Sequence, residues 1–284
     1  MRNFTFKGLF LTAVFALLGC LSIQAADDDL ITKQITIKLD KAGTLPDRIA
    51  SSKKYKITNL KIVGEINGTD WNMIREMAGR NYQESSTEGN LSVLDLSEAK
   101  IVAGGDYYYY DNLFNNKVYT SNDEIGEYAF AYCSGLTSLT LPVGITSIGE
   151  FAFSGCSGLT SLTLPAGITS IGEFAFSYCS GLTSIYVYAE KVPRIGRYAF
   201  EGCASRKCTL YVPKGTYDNY RLSEFGCFEN IVEFDPTGID KTTTSTDVEE
   251  VSRYSVNGQR LAVPVKGLNI VKYSDGTARK VVVK

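Results

Sequence analysis

The sequence contains no histidine among its 284 residues. This absence excludes a Ser-His-Asp triad, a Cys-His dyad and every zinc site that uses an imidazole ligand. Neither sign of charge is in surplus, because 29 Lys and Arg stand against 31 Asp and Glu, a net charge of −2. Such a chain lacks the basic excess that attracts nucleic acid or anionic lipid. We therefore expect neither of them as a partner.

Glycine motifs of the phosphate-binding and dinucleotide-binding kinds are missing as well, since GGDYYYY from Gly104 and IGEFAF from Ile148 lack their spacing. Paired carboxylates can hydrolyse glycosides without histidine. However, Glu127, Glu150 and Glu173 occupy one position of a repeat, which predicts a solvated surface row. We expect no enzymatic activity, no cofactor and no metal.

Long hydrophobic runs are scarce, and the run from Leu9 to Leu18 is too short for a comfortable membrane span. Two cations, Arg2 and Lys7, accompany it, and the pattern predicts a secretory signal peptide over residues 1–25. An alternative stays open, because residues 17–20 resemble a bacterial lipobox in which Cys20 is lipidated. We expect an exported protein, at the outer membrane surface or extracellular, whose only membrane link is a lipid anchor or secretion-linked attachment.

What the chain does have is a repeat. Residues 125–147 and 148–170 match at 19 of 23 positions, a third copy begins at Ile171, and a looser one begins at Ile195. A fixed period of this size is typical of a solenoid, in which each turn buries its apolar residues against its neighbours. Solenoids present long surfaces, so the pattern favours binding over catalysis.

Each unit divides into two halves. The first carries LxxLxL, as in Leu159, Leu162 and Leu164, and its period-two alternation predicts a short strand that Pro165 ends. The IGEFAF half is too short for an ordinary helix, which predicts a 3₁₀ or single-turn helix. Stacked turns would align identical residues in columns, namely Phe130, Phe153, Phe176 and Phe200, and Cys133, Cys156, Cys179 and Cys203.

The repeat spacing divides these cysteines into two groups. The four column cysteines point the same way in successive turns, so we expect small buried apolar side chains, and one ligand per turn cannot converge on a metal. Cys208 and Cys227 are off the period, and a disulfide between them, or from either to Cys203, is open in an exported protein.

Residues 26–124 are predicted to form an N-terminal cap with irregular leucine-rich turns, and residues 125–234 the regular array. Ile35 to Leu39 alternates as a strand, and Thr69 is a candidate N-cap for an inserted helix over 70–78. On this helix, Trp71 is expected to be a core residue, with a platform for a ligand as the alternative. The run Tyr107 to Tyr110 is either a loop packed on the array or a set of tyrosines used in recognition.

Residues 235–250 are Thr-rich and predict a linker. Beyond it, residues 251–284 contain two hairpin signals, at 257–258 and 275–276. Two segments together, YSVNGQRL from Tyr254 and KGLNIVKYSDGTARKVVVK from Lys266, resemble the end of the C-terminal sorting domains of type IX secretion substrates. That resemblance implies export or surface attachment, and the alternative is a small β module that caps or extends the array.

The motifs LTSLTLP, GITSIGEFAF and the following Cys, in three consecutive copies, resemble the BspA-type leucine-rich repeat family of bacterial surface proteins. The resemblance is strong over 125–234 and loose over 57–124. It implies an α/β fold, a right-handed solenoid of short parallel strands and short helical turns, on the cell surface. Some members of this family look like adhesins, and the resemblance carries over no binding residue.

On an LxxLxL strand, the residues between the inward positions face the open side of the sheet. This predicts a candidate binding surface made of Ser138, Thr140, Ser161, Thr163, Ser184, Tyr186, Tyr188 and Tyr211. Small hydroxyls also suit a merely soluble sheet, so the tyrosines are the stronger candidates. We expect a non-catalytic module that binds a protein or glycan on a host or neighbouring cell, with a scaffolding component of the cell envelope as the alternative.

Overall fold

The computed structural model describes residues 29–112, 115–203, 206–236, 250–255, 260–261, 266–273 and 278–283. The predicted signal peptide, Cys20, most of the predicted linker and both predicted hairpin turns lie outside these residues.

The described helices are short. They are α1 (Leu45–Arg48), α2 (Ser51–Lys54), α3 (Gly68–Met77) and α4 (Tyr217–Arg221), with one 3₁₀ helix at Glu224–Cys227. None of these helices has the length and apolarity needed to cross a membrane.

Strands make up most of the described regular structure. They are β1 (Ile35–Leu39), β2 (Asn59–Ile66), β3 (Val93–Ile101), β4 (Gly104–Asp111), β5 (Asn116–Thr120), β6 (Glu124–Ile125), β7 (Ser138–Thr140), β8 (Ser147–Ile148), β9 (Ser161–Leu164), β10 (Ser170–Ile171), β11 (Ser184–Val187), β12 (Arg194–Ile195), β13 (Thr209–Pro213), β14 (Asn230–Phe234), β15 (Glu250–Ser255), β16 (Arg260–Leu261), β17 (Gly267–Tyr273) and β18 (Ala278–Val283).

The main sheet has eight strands in the order β1-β2-β3-β7-β9-β11-β13-β14, and the pairs are parallel. Each strand therefore lies beside the strand of the next turn, as the repeat predicts. Register places the inward Leu139 beside Leu94, and Leu162 beside Ile185, so the apolar positions of successive turns meet in one buried column.

A second parallel sheet, β12-β10-β8-β6, runs along the other half of the repeats. Its strands have two residues each, and their isoleucines form a column in which Ile148 pairs with Ile125 and Ile171 pairs with Ile148. The core lies between the two sheets and the IGEFAF turns. Only neighbouring turns bury these side chains, so one turn could not fold alone.

The predicted phenylalanine column is present at the centre of this core. Phe130, Phe153 and Phe176 are fully buried, and neighbouring rings stack with centroids 5.0–5.4 Å apart. Trp71 closes one end of the column against Phe130, at 5.2 Å, and Phe225 and Phe228 close the other against Phe200.

The IGEFAF half does not form the predicted 3₁₀ or single-turn helix, because residues 125–203 contain hydrogen-bonded turns and no helix. The reason is a backbone in the left-handed region at the first aromatic position, with φ of +54° at Tyr128 and +53° at Phe151 and Phe174. One such residue reverses the helical sense and ends a helix at once. Backbone N–H groups of each turn instead donate hydrogen bonds to carbonyls of the next turn, as from Phe153 N to Ala175 O at 2.7 Å.

This backbone also places the first aromatic of IGEFAF outside the core. These aromatics form a second stack, called here the outer stack, which consists of Tyr128, Phe151, Phe174 and Tyr198. Its rings are half-buried to exposed, with neighbouring centroids 5.0–5.2 Å apart, and Tyr109 stacks on Tyr128 at 4.2 Å. Only the second aromatic position, which forms the phenylalanine column, lies in the core.

The inserted helix α3 begins earlier than the sequence suggests. Its N-cap is Asn67, not Thr69: the Asn67 side chain accepts from Thr69 N at 3.1 Å, and Asp70 accepts from Asn67 N at 2.9 Å. This reciprocal pair is a capping box. Trp71 is buried as predicted, and its indole N–H donates to Ala129 O at 3.1 Å.

The tyrosine run lies on strand β4, which pairs with β5 in an antiparallel hairpin. Tyr108 and Tyr109 are both buried although they are consecutive, because the pairing is irregular between Gly104 and Tyr109. Tyr108 donates to Glu127 O at 2.9 Å, and Tyr109 stacks on Tyr128. Packing onto the array is therefore the main role of these two side chains.

The described residues of the C-terminal region form an antiparallel sheet in the order β16-β15-β17-β18. Val271 and Asn269, on β17, are buried in it.

Candidate functional site

The outward face of the main sheet changes in character along its length. Near its first strands, Lys61 forms ion pairs with Asp95 at 3.3 Å and with Glu98 at 2.6 Å. The middle strands present hydroxyls, and the last three present aromatic and apolar side chains. The regular turns are alike in sequence, so this change marks where the surface departs from the repeat.

Strands β11, β13 and β14 bring the aromatic residues together. Register places Tyr186 beside Tyr211, and Tyr211 beside Val232. These positions alternate with the buried Ile185 and Leu210, which explains why they face outward. We call Tyr186, Tyr188, Tyr211, Val232 and Phe234 the aromatic cluster.

The rings of the aromatic cluster fix one another. Tyr186 and Tyr211 stack with centroids 4.3 Å apart and planes 5° apart. Phe234 meets Tyr186 edge-on at 5.9 Å and Tyr188 at 5.1 Å. Burial raises the pKa of Tyr186, and the neighbouring Tyr211 raises it further. The site is therefore preorganised, with few side-chain rotamers left to order on binding.

Two members of the cluster, Val232 and Phe234, were not predicted as site residues. Their segment, Ile231 to Phe234, lacks the LxxLxL motif from which the other outward positions are predicted. The signal that could have found them is the alternation of IVEF, which aligns with LYVP of β13 and turns both residues outward.

The predicted hydroxyl residues lie on the same face but outside the aromatic cluster. Ser138, Thr140, Ser161 and Thr163 are exposed, and Ser184 is half-buried, with its hydroxyl donating to Ser161 Oγ at 3.0 Å. They form two rows of small polar groups, and nothing in their geometry distinguishes a ligand site from a hydrated sheet.

The glutamate row lies on another surface and is exposed. Glu127 and Glu150, with Glu124, line a groove of about 460 Å³ beside strand β5. Burial raises the pKa of the Glu127 carboxyl, and the charge of Glu150 adds to this. In the described part of the chain, no group of three or more Cys, Asp or Glu side chains is placed to hold a metal ion.

The column cysteines are buried or half-buried as predicted. Three of the thiols donate to a phenylalanine carbonyl of the preceding turn: Cys156 to Phe130 O at 3.1 Å, Cys179 to Phe153 O at 3.1 Å and Cys203 to Phe176 O at 3.0 Å. Cys208 is buried and Cys227 exposed, and both are free in the structure, as is the half-buried Cys203.

Comparison with known proteins supports the repeat. Residues 103–221 match the sequence model of the BspA type leucine rich repeat region, in six copies. The chain also resembles the crystal structure of a leucine-rich repeat protein from Bacteroides ovatus ATCC 8483, with a TM-score of 0.36 and 22% identity; the match covers 70% of this chain and 42% of that chain. No curated protein shows significant similarity to this sequence.

Proposed function

We propose that this protein is an exported, non-catalytic binding module of the cell surface, and that its stacked turns form a right-handed leucine-rich-repeat solenoid. The observation that carries the proposal is the aromatic cluster, where Tyr186 and Tyr211 replace the threonine of the regular turns and Tyr188 replaces their proline. The partner is a protein or glycan on a host or neighbouring cell. The match to BspA type repeats supports a binding or adhesion role.

The way in which the rings pack indicates how they contact a partner. Neighbouring strands place Thr163 beside Tyr186 and Val232 beside Tyr211, so the faces of the two stacked rings are largely covered. Their edges and hydroxyls remain to make contacts. Ring edges carry partial positive charge and phenols donate hydrogen bonds, which suits carbonyl, carboxylate and hydroxyl oxygens of a partner.

The test is binding of the purified protein to immobilised matrix glycoproteins, mucins and polysaccharides. The variant Y186A/Y188A/Y211A is expected to lose a saturable signal. Its matched control is Y132A/Y178A/Y198A, which removes three tyrosines that are 46%, 61% and 60% exposed elsewhere on the array. Equal binding by both triple variants, each with a native circular dichroism spectrum, would reject the aromatic cluster as the site.

A scaffolding role in the cell envelope is the second candidate, and the near-identity of residues 125–147 and 148–170 favours it. A specific site usually breaks repeat symmetry, whereas a structural array preserves it. A scaffold would resist extraction from the envelope and bind no member of the panel.

Export is part of the proposal and has its own test. It rests on the signal sequence of residues 1–25, the lipobox-like Cys20 and the resemblance of residues 251–284 to type IX sorting domains. Intact mass of the protein recovered from the producing cell distinguishes plain cleavage near residue 25 from diacylation at Cys20, and shows whether the C-terminal module is removed. Recovery of the uncleaved chain from the cytoplasm would overturn export.

A further inference from the structure

The repeat breaks most sharply in the loop that follows Tyr188. The regular turns carry VGITS at 143–147 and AGITS at 166–170, whereas this turn carries AEKVPR at 189–194. It is one residue longer and introduces two cations, Lys191 and Arg194. Strand register places Arg194 beside Ser170, the position where the preceding turn has Ser147.

These cations line a pocket of about 410 Å³ between two successive turns. One wall is the chain from Ala166 to Ser170, and the other contains Ala189 and residues 191–194. No carboxylate lines this pocket, since Glu190 on the same loop is not among its lining residues. Lys191 and Arg194 are exposed, and neither has an ion-pair partner among the described residues.

The pocket is held in a fixed relation to the aromatic cluster. Ala189 directly follows Tyr188, is 2% exposed, and its carbonyl accepts a hydrogen bond from the Tyr220 hydroxyl at 2.6 Å. At the other end of the loop, Arg194 N donates to Thr169 O at 2.9 Å. Both ends of the loop are therefore tied to the body of the repeats.

We propose that this pocket binds the carboxylate or sulfate of an acidic sugar residue, in a glycan that also contacts the aromatic cluster. The inference rests on the proposed binding function and specifies its ligand. Guanidinium pairs with carboxylate or sulfate through two parallel hydrogen bonds, and the lysine adds a point charge. A concave pocket of this volume suits a small-molecule unit, whereas protein–protein interfaces are broader.

The experiment measures binding of the full chain by calorimetry to hexasaccharides of hyaluronan and of chondroitin sulfate, to sialyllactose, and to carboxyl-reduced hyaluronan as the neutral match. The variant K191A/R194S restores at position 194 the serine of the regular turns, so it keeps the fold. Its control, R197Q, removes an exposed cation that does not line the pocket.

We expect at least one acidic sugar to bind, the neutral match to bind at least tenfold more weakly, and K191A/R194S to lose about tenfold or more while R197Q does not. Binding should weaken with added salt. The inference is overturned if no acidic sugar binds or if the neutral match binds equally. It is also overturned if, among the acidic probes, only poly-glutamate, which carries carboxylates without a sugar, binds through Lys191 and Arg194.

The variants Y186A/Y188A/Y211A and K191A/R194S distinguish failure of the proposed function from failure of the pocket. Loss of glycan binding in Y186A/Y188A/Y211A but not in K191A/R194S would keep the proposed function and reject the pocket. The reverse would keep the pocket and reject the aromatic cluster.

Discussion

Trp71 lies against Phe130, with ring centroids 5.2 Å apart, and so joins the inserted helix α3 to the first regular turn. Its indole N–H also donates to the carbonyl of Ala129 in the same turn. Phe130 is the first ring of the phenylalanine column, which would otherwise end against solvent. Trp71 therefore covers the end of the phenylalanine column, where the first regular turn lacks a preceding regular turn.

The two aromatic positions of IGEFAF should differ in their contribution to stability. Phe153 is fully buried between two rings, so Phe153→Ala is expected to lower the free energy of unfolding by about 3–5 kcal/mol. Phe151 is only half-buried in the outer stack, so Phe151→Ala should cost about 1 kcal/mol. Urea denaturation measures both, and equal losses would show that the outer stack contributes as much as the core.

The sequence predicts which residues share a column, and it predicts the inward face of each strand, because strand alternation fixes that face. It does not predict where the first aromatic of IGEFAF points. Tyr128 and Phe151 adopt positive φ without being glycine, so no residue signal marks the bend. For the same reason the predicted short helix does not form.

The candidate site was predictable to the extent that it follows alternation. Tyr186 and Tyr211 were placed on one face from LxxLxL alone. Phe234 was missed, because its segment lacks the LxxLxL motif and only the pairing of β13 with β14 brings it beside Tyr188. Lys191 and Arg194 were not predicted as site residues, because their pocket forms only against the loop of the preceding turn.

Substitution by alanine should have opposite effects on stability at two glycines of the repeat. A Cβ at Gly172 would lie 2.5 Å from Glu150 N and 2.6 Å from Gly149 C, both backbone atoms of the preceding turn. Gly172→Ala is therefore expected to destabilise the protein by about 3 kcal/mol, since adjacent turns must separate.

Gly144→Ala is the matched control, because the nearest atom to its Cβ is Asp123 Oδ1 at 3.9 Å. It should be neutral or stabilise by about 0.4–1 kcal/mol, through the reduced freedom of the unfolded chain. Thermal melting of both variants gives the comparison, and a larger loss at Gly144 would contradict the stacking of the turns.

The thiols should react with Ellman's reagent at very different rates. Burial raises the pKa of Cys133 to about 11 and that of Cys156 well above its usual range, and both are inaccessible. Cys227 is exposed. At pH 8.5 we expect Cys227 to react first and the two buried thiols only after unfolding.

The variant Cys227→Ser should remove the fast phase and leave the slow one. Rapid labelling of Cys156 in the native protein would contradict the buried column. A fast phase that appears only after treatment with a reductant would show that the exported protein does join Cys227 in a disulfide.

Replacing the buried Arg75 by lysine should destabilise the protein more than replacing it by methionine. Its guanidinium is inaccessible to solvent and donates to the carbonyls of Tyr128 and Ala129, and to Asn81 O at 3.3 Å. Lysine keeps the buried charge but cannot reproduce the fork of donors. Methionine removes the charge together with its desolvation cost.

We therefore expect Arg75→Lys to destabilise by about 3 kcal/mol and Arg75→Met by about 1–2 kcal/mol. Arg48→Lys, at an exposed helix position, is the control and should be close to neutral. Chemical denaturation at pH 7 gives the order. If Arg75→Lys were the milder change, the charge rather than the geometry of its hydrogen bonds would be what holds α3 to the first regular turn.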